Sequence, residues 1–282
     1  MNILIAILLA GTTSALYALS TSLQALEARR EPTSEALRAS LLKKLVRRPL
    51  WLAGAAAGLV AWPLQAVALA LASVAIVQPA LGLGLIVLLV LGVRLLHERV
   101  GLREVGGAVM IAGSIAAIGW AAPAHTAGFT RGGEVAIGAA LAIAAAVPYA
   151  LRVLGRGGGL ATSISAGFGW AAVGLATALI DEAIAHRHWL IALAWGAGVA
   201  VAGWSSLLAE MTALQTWPAT RSIPVVFGIE MVLPAALLPI LAHTRPGHVL
   251  SFGAALAVAC AGAAVLGSSR AVARAAAPLT EP

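Results

Sequence analysis

Apolar runs of about twenty residues recur along the whole 282-residue chain, and they restrict its fold more than any other feature. A helix of about 20 apolar residues is long enough to cross a bilayer. Nine such runs can be marked off, near 2–24, 51–71, 74–96, 104–122, 134–152, 161–180, 189–209, 219–241 and 249–267. Charged residues make up 10% of the chain, against about 25% in a soluble domain. The expected fold is therefore all-α: a polytopic membrane protein of about nine transmembrane helices.

The basic residues test this count. If the N-terminus lies outside, 15 of the 18 Lys and Arg fall on inner loops and the C-terminal tail, leaving only Arg131, Arg187 and Arg245 outside. Positive charge concentrates on cytoplasmic loops, so the expectation is an inner-membrane protein with its N-terminus out and its C-terminus in. The net charge of +7 has the same origin and does not point to nucleic acid. The first run is not a signal peptide by pattern, because no Lys or Arg precedes Arg29 and a signal needs a positive leading region. The single cysteine, Cys260, rules out a disulfide framework.

Segment 27–48 differs from its surroundings. Leu37, Leu41, Leu42 and Leu45 recur at helical spacing, Arg38, Lys43, Lys44, Arg47 and Arg48 fall off that face, and Ser34 is a candidate N-cap. This reads as a basic amphipathic helix lying on the anionic inner leaflet, with membrane lipid as its partner. On the other side, "DEAIAHRH" (181–188) belongs to a set of five outer histidines, His125, His186, His188, His243 and His248. A solvated loop is the plainer reading, and collection of divalent cations the alternative.

The two halves resemble each other. Pro79 is followed by Gly101 and Gly107 much as Pro224 is followed by Gly247 and Gly253, and each pair of glycines opens a Gly/Ala-rich helix. Spans two to four thus match spans seven to nine. An offset of five helices inverts one copy relative to the other, the arrangement used for alternating access. The expected halves are 1–122, with helices one to four and the basic loop 27–48, and 123–282, with helices five to nine and a short tail. Gly54 and Gly58 form a GxxxG close-packing pattern. A homodimer is one assembly open to such a chain. Trp51, Trp120, Trp189 and Trp217 lie near span ends, and Trp62, Trp170, Trp195 and Trp204 lie deeper, where the core is their expected place.

Two carboxylates fall in or beside spans: Glu230 mid-way along span eight, and Glu210 at the inner end of span seven. A charge at a helix centre costs about 2.5–3.5 kcal/mol on insertion scales, so such residues mark functional paths. Proline cannot donate to the carbonyl four residues back. Pro234 therefore frees the carbonyl of Glu230 itself, Pro224 that of Thr220, Pro239 that of Ala235 and Pro79 that of Ala75. A carboxylate beside free carbonyls offers hard oxygen ligands suited to Mg²⁺ or a proton relay. Glu230 is the candidate metal ligand. Glu210, Gln65, Gln78, Pro79, Pro224 and Pro234 are the further candidates for the path, with Ser163, Ser165, Ser205, Ser206 and Thr212 as secondary ones. Each polar residue taken alone is more often an interhelical hydrogen bond. No enzyme or cofactor fingerprint stands in a supporting context. The one aspartate, Asp181, is too few for an intramembrane aspartyl protease.

These motifs resemble the drug/metabolite transporter superfamily. "QPALG" (78–82) is similar to its proline-glycine helix start, "HERVGLREVGG" (97–107) to its "ER…G" link, and "GIEMVLP" (228–234) to the glutamate-proline step of the C-terminal EamA repeat. In the second half "AHTRPGH" (242–248) stands where the "ER" link would be and lacks its glutamate. A nine-helix count is closer to the NIPA-type magnesium transporter branch, with 27–48 where ten-helix members place their second helix. The resemblance implies a transporter of a small solute or cation, Mg²⁺ in the NIPA branch. Two other readings stand beside it: a proton-coupled exporter of an organic metabolite or drug, and a non-transporting accessory membrane protein.

Overall fold

The computed structural model describes residues 2–72, 77, 80–121, 129–241 and 248–267, and every regular element among them is helical. The helices are α1 (Asn2–Ala28), α2 (Ala39–Leu45), α3 (Pro49–Leu71), α4 (Gly84–Arg94), α5 (Leu102–Ala121), α6 (Arg131–Val153), α7 (Gly159–Ala185), α8 (Trp189–Thr216), α9 (Ala219–Leu241) and α10 (Val249–Gly267). A single 3-10 turn, Thr33–Glu35, lies between α1 and α2. Among the described residues α1, α3, α6, α7, α8 and α9 are long and apolar enough to cross a membrane, and α4 and α10 are apolar but shorter. The chain is built as a helical membrane protein.

Local chemistry sets the helix ends. Pro49 opens α3 at a position whose N–H would be unpaired anyway. Thr130 caps α6, its hydroxyl accepting from the Gly133 N–H at 3.0 Å. Pro218 follows the extended Trp217 and stops α8.

The helices pack in two sets. α1 packs on α3 and α4, and α4 on α5; α7 packs on α8 and α9, and α9 on α10. α5 and α10 join the sets along an antiparallel seam, Gly107 against Gly262 and Leu266 near one end, Ile118 and Ala121 with Phe252 and Ala255 near the other. α6 lies outside this scheme, on α7 and α8. The Gly54/Gly58 pair is used inside the chain. A Cβ on Gly54 would sit 2.8 Å from the Ser20 carbonyl oxygen, so α3 can approach α1 this closely only without a side chain there.

Segment 27–48 departs from expectation. It is not one helix on a lipid surface but a short strap: α1 runs on to Ala28, then come the 3-10 turn and the seven residues of α2. Arg38, in an extended conformation, takes the N-cap position of α2, and Ser34 lies in the 3-10 turn. Leu41, Leu42 and Leu45 are fully buried with Ala25, Ala28, Trp51, Leu208, Met211 and Leu214. The leucine face thus meets protein, not lipid. A strap this short does not stand in for a spanning helix. Leu37 is 1% exposed. It turns the strap through a left-handed conformation (φ 56°), and its N–H donates to Thr212 Oγ1 at 2.9 Å. Its basic residues are drawn to acids: Lys44 to Glu35 at 2.8 Å, Arg48 to Glu31 at 2.9 Å and Arg30 to Glu27 at 2.5 Å. Lys44, together with Ser40, holds the Glu35 carboxyl below the ordinary carboxylate range.

The tryptophans also divide differently. Trp62 and Trp204 are 67% and 45% exposed and face outward. Trp51 and Trp217, expected at interfaces, are buried, Trp51 with its indole N–H on Met211 Sδ at 3.3 Å.

Candidate functional site

α7 is rich in small residues, and that decides where Glu230 lies. Ser163, Ser165, Ala166, Gly167 and Gly169 are buried along one stretch of it. A Cβ on Gly167 would lie 2.8 Å from both Ile229 Cβ and the Val226 carbonyl oxygen, so α9 lies directly against α7 at the turn before Glu230. On the other side, Gly169 faces Ser206 of α8, whose hydroxyl is turned back to the Ala202 carbonyl at 2.7 Å. α8 continues to Thr216, so Glu210 lies inside the helix and not at its end.

Two hydrogen bonds and two electrostatic couplings involve five polar side chains from five helices there. Gln65 Oε1 on α3 accepts the Tyr17 hydroxyl of α1 at 3.1 Å. Tyr17 lies within electrostatic reach of Glu230 on α9, and Glu230 within reach of Glu210 on α8. Glu210 Oε2 accepts the indole N–H of Trp170 on α7 at 2.8 Å. All five are partly accessible. Among the described residues neither carboxyl has an ion-pair partner.

Of the residues singled out in the sequence, Glu230 is electrostatically coupled to Glu210, and Gln65 accepts from Tyr17. Pro224 and Pro234 lie on α9 on either side of Glu230. Gln78 and Pro79 lie outside the described residues. Among the secondary candidates, Ser163, Ser206 and Thr212 hold local hydrogen bonds. Ser163 and Ser222 share a hydrogen bond of 2.8 Å, and the Thr212 hydroxyl donates to the Leu208 carbonyl at 2.8 Å. The hydroxyl of Ser165 is buried without a partner among the described residues.

Sequence reasoning missed Tyr17 and the role of Trp170. A signal for Tyr17 was present, since it is one of only two tyrosines and sits mid-run in α1. A buried phenol at such a place needs a hydrogen-bond partner.

The described residues contain no group of three or more His, Cys, Asp or Glu able to hold a metal ion. Of the outer histidines, His186 and His188 have ring centres 6.1 Å apart, His248 stacks on Trp120 at 4.4 Å, and His125 and His243 lie outside the described residues. Comparison with known proteins gave no match: no family model, no curated relative and no solved structure is similar to this chain.

Proposed function

We propose that the chain is a multi-pass transporter of the drug/metabolite type, moving a small cation by alternating access between two inverted halves. One observation carries this reading: Glu210 and Glu230, each inside a helix, are electrostatically coupled and have no ion-pair partner among the described residues. Two neighbouring carboxylates repel, and a cation or a proton arriving there would balance them. Partial accessibility along Tyr17, Gln65, Trp170 and the two glutamates supports a lined path.

The packing supports the repeat. α1, α3, α4 and α5 contact each other in the pattern that α7, α8, α9 and α10 repeat, and the last member of each set meets the other antiparallel. The pairing of α1 with α7 and α3 with α8 fits nine spans with α6 as the helix lacking a counterpart. The charge distribution supports an inner membrane with the N-terminus outside.

Mg²⁺ fits as a hydrated ion, held by carboxylates through retained waters. Proton-coupled movement of an organic cation is the second reading. It is favoured by the aromatic rings of Tyr17 and Trp170 flanking the carboxyls, since ring faces attract cations. Purified protein in liposomes separates the two. Mg²⁺ influx reported by an internal dye, abolished in Glu230→Gln and indifferent to a pH gradient, supports the first. Flux of an organic cation driven by a pH gradient supports the second. A wild-type protein that moves neither under either gradient would sink the proposal.

A further inference from the structure

The "HERVGLRE" link (97–104) carries two glutamates outside the path, and both reach the start of α9. Glu98 is nearly buried, its side chain 5% exposed. It accepts the N–H of Ala219 at 2.6 Å, the N–H of Thr220 at 2.9 Å and the Thr220 hydroxyl, and it pairs with Arg29 beyond the end of α1. Arg29 also donates to the Leu214 carbonyl at 3.3 Å, near the end of α8. Glu104 Oε1 accepts Arg221 Nε at 2.8 Å and lies 2.6 Å from Nη2, while Oε2 accepts the Gly101 N–H at 2.8 Å.

Free N–H groups at a helix start are normally satisfied by a neighbouring side chain in sequence, and the helix dipole favours an anion there. For α9 the carboxylate comes from a residue more than a hundred positions away. The first turn of α9 is therefore fully capped only while it is docked on the 97–104 link. The seam is tight. A Cβ on Gly92 would fall 2.2 Å from Thr220 Cγ2, and one on Gly159 would fall 2.3 Å from Trp217 Cβ. Beside it opens a shallow cleft of about 300 Å³ bordered by Arg29, Glu98, Gln215 and Trp217. Between this turn and Glu230 stands Pro224, and Pro234 follows one turn later; each removes a rung of the helix ladder where α9 can bend.

We propose that the 97–104 link is a gate latch, in which Glu98 and Glu104 hold the first turn of α9 closed and their release frees the helix carrying Glu230. This rests on the transport reading, but its test needs no substrate. Cys260→Ser removes the only cysteine, and Ser222→Cys then places one thiol in the first turns of α9, where Ser222 is fully buried. Labelling by a membrane-impermeant thiol reagent is followed in reconstituted vesicles opened to both sides. Glu98→Ala and Arg221→Ala are expected to speed labelling at least tenfold, and the charge swap Glu104→Arg/Arg221→Glu to restore a rate near the parent. Ala176→Cys, fully buried in the core of α6, α7 and α8, serves as the control. Rates within twofold of the parent in all latch variants would overturn the proposal. So would equal acceleration at positions 176 and 222, which marks general loosening. A liposome flux assay that fails while the latch variants label faster removes the transport reading and leaves the latch standing.

Discussion

Trp170 on α7 donates its indole N–H to Glu210 on α8 across 2.8 Å, and this bond orients the Glu210 carboxyl. A hydrogen bond to a charged group contributes about 1.5–3 kcal/mol. Trp170→Phe keeps the ring and deletes the donor. On the proposed transport reading, apparent affinity for a cation is expected to fall about tenfold or more, with the thermal midpoint little changed. An equal affinity in Trp170→Phe would remove Trp170 from the path.

Tyr17→Phe tests the other end. It removes the hydroxyl that Gln65 accepts, a bond between neutral groups worth about 0.5–1.5 kcal/mol. Transport at saturating cargo should persist at a reduced rate, where Glu230→Gln leaves none. A liposome time course of the two variants side by side distinguishes a positioning group from the charge carrier.

Gly92 and Thr220 give a packing test. Gly92→Ala forces α4 and α9 apart, because the new Cβ meets Thr220 Cγ2 at 2.2 Å. Overpacking of this kind typically costs about 1–3 kcal/mol. Thr220→Ser removes Cγ2 and keeps the hydroxyl that Glu98 accepts. The double variant Gly92→Ala/Thr220→Ser should recover most of the lost melting temperature. Additive losses in the two single variants and their combination would mean that the residues do not meet.

The helices and the carboxylates could be read from the sequence because each has a one-dimensional signature: a long uncharged run, or a lone acid within one. The strap could not. Leu41, Leu42 and Leu45 have the spacing of an interfacial helix, and hydrophobic spacing alone does not say whether lipid or protein covers the face. What decides it is tertiary. α8 runs on to Thr216, and Leu208, Met211 and Leu214 supply the opposing surface. The meeting of Glu98 with Thr220 was hidden for the same reason, since a cap borrowed from a distant loop leaves no local pattern. Tyr17 was hidden by its chemistry, because a tyrosine in an apolar run reads equally as packing or as a polar group in need of a partner.

Leu37→Ala probes the strap directly. The side chain is 1% exposed, and large-to-small changes at such sites cost about 2–5 kcal/mol. Protection of the Leu37–Leu45 amides from hydrogen exchange should fall in this variant, while that of α7 stays as in the parent.

Acid should loosen the strap at Glu35. Lys44, then Ser40, lower the pKa of this carboxyl in the folded chain, so its contribution is present above the ordinary carboxylate pKa and is lost as pH falls through the lowered value. Glu35→Gln should flatten the acid limb of the melting-temperature profile. An unchanged limb would show that the pair with Lys44 is too well solvated to count.

The ion pairs of the strap also bear on how the chain is made. Arg30, Lys44 and Arg48 end up paired with Glu27, Glu31 and Glu35, so the folded inner face is less basic than its sequence. Insertion machinery counts Lys and Arg near a span and largely ignores Asp and Glu. With the N-terminus outside, as proposed above, the same residues act twice in succession. While α1 and α3 are threaded they would count toward orientation; once the strap docks on α8, Glu27, Glu31 and Glu35 offset part of their charge while the basic side chains themselves stay about half exposed.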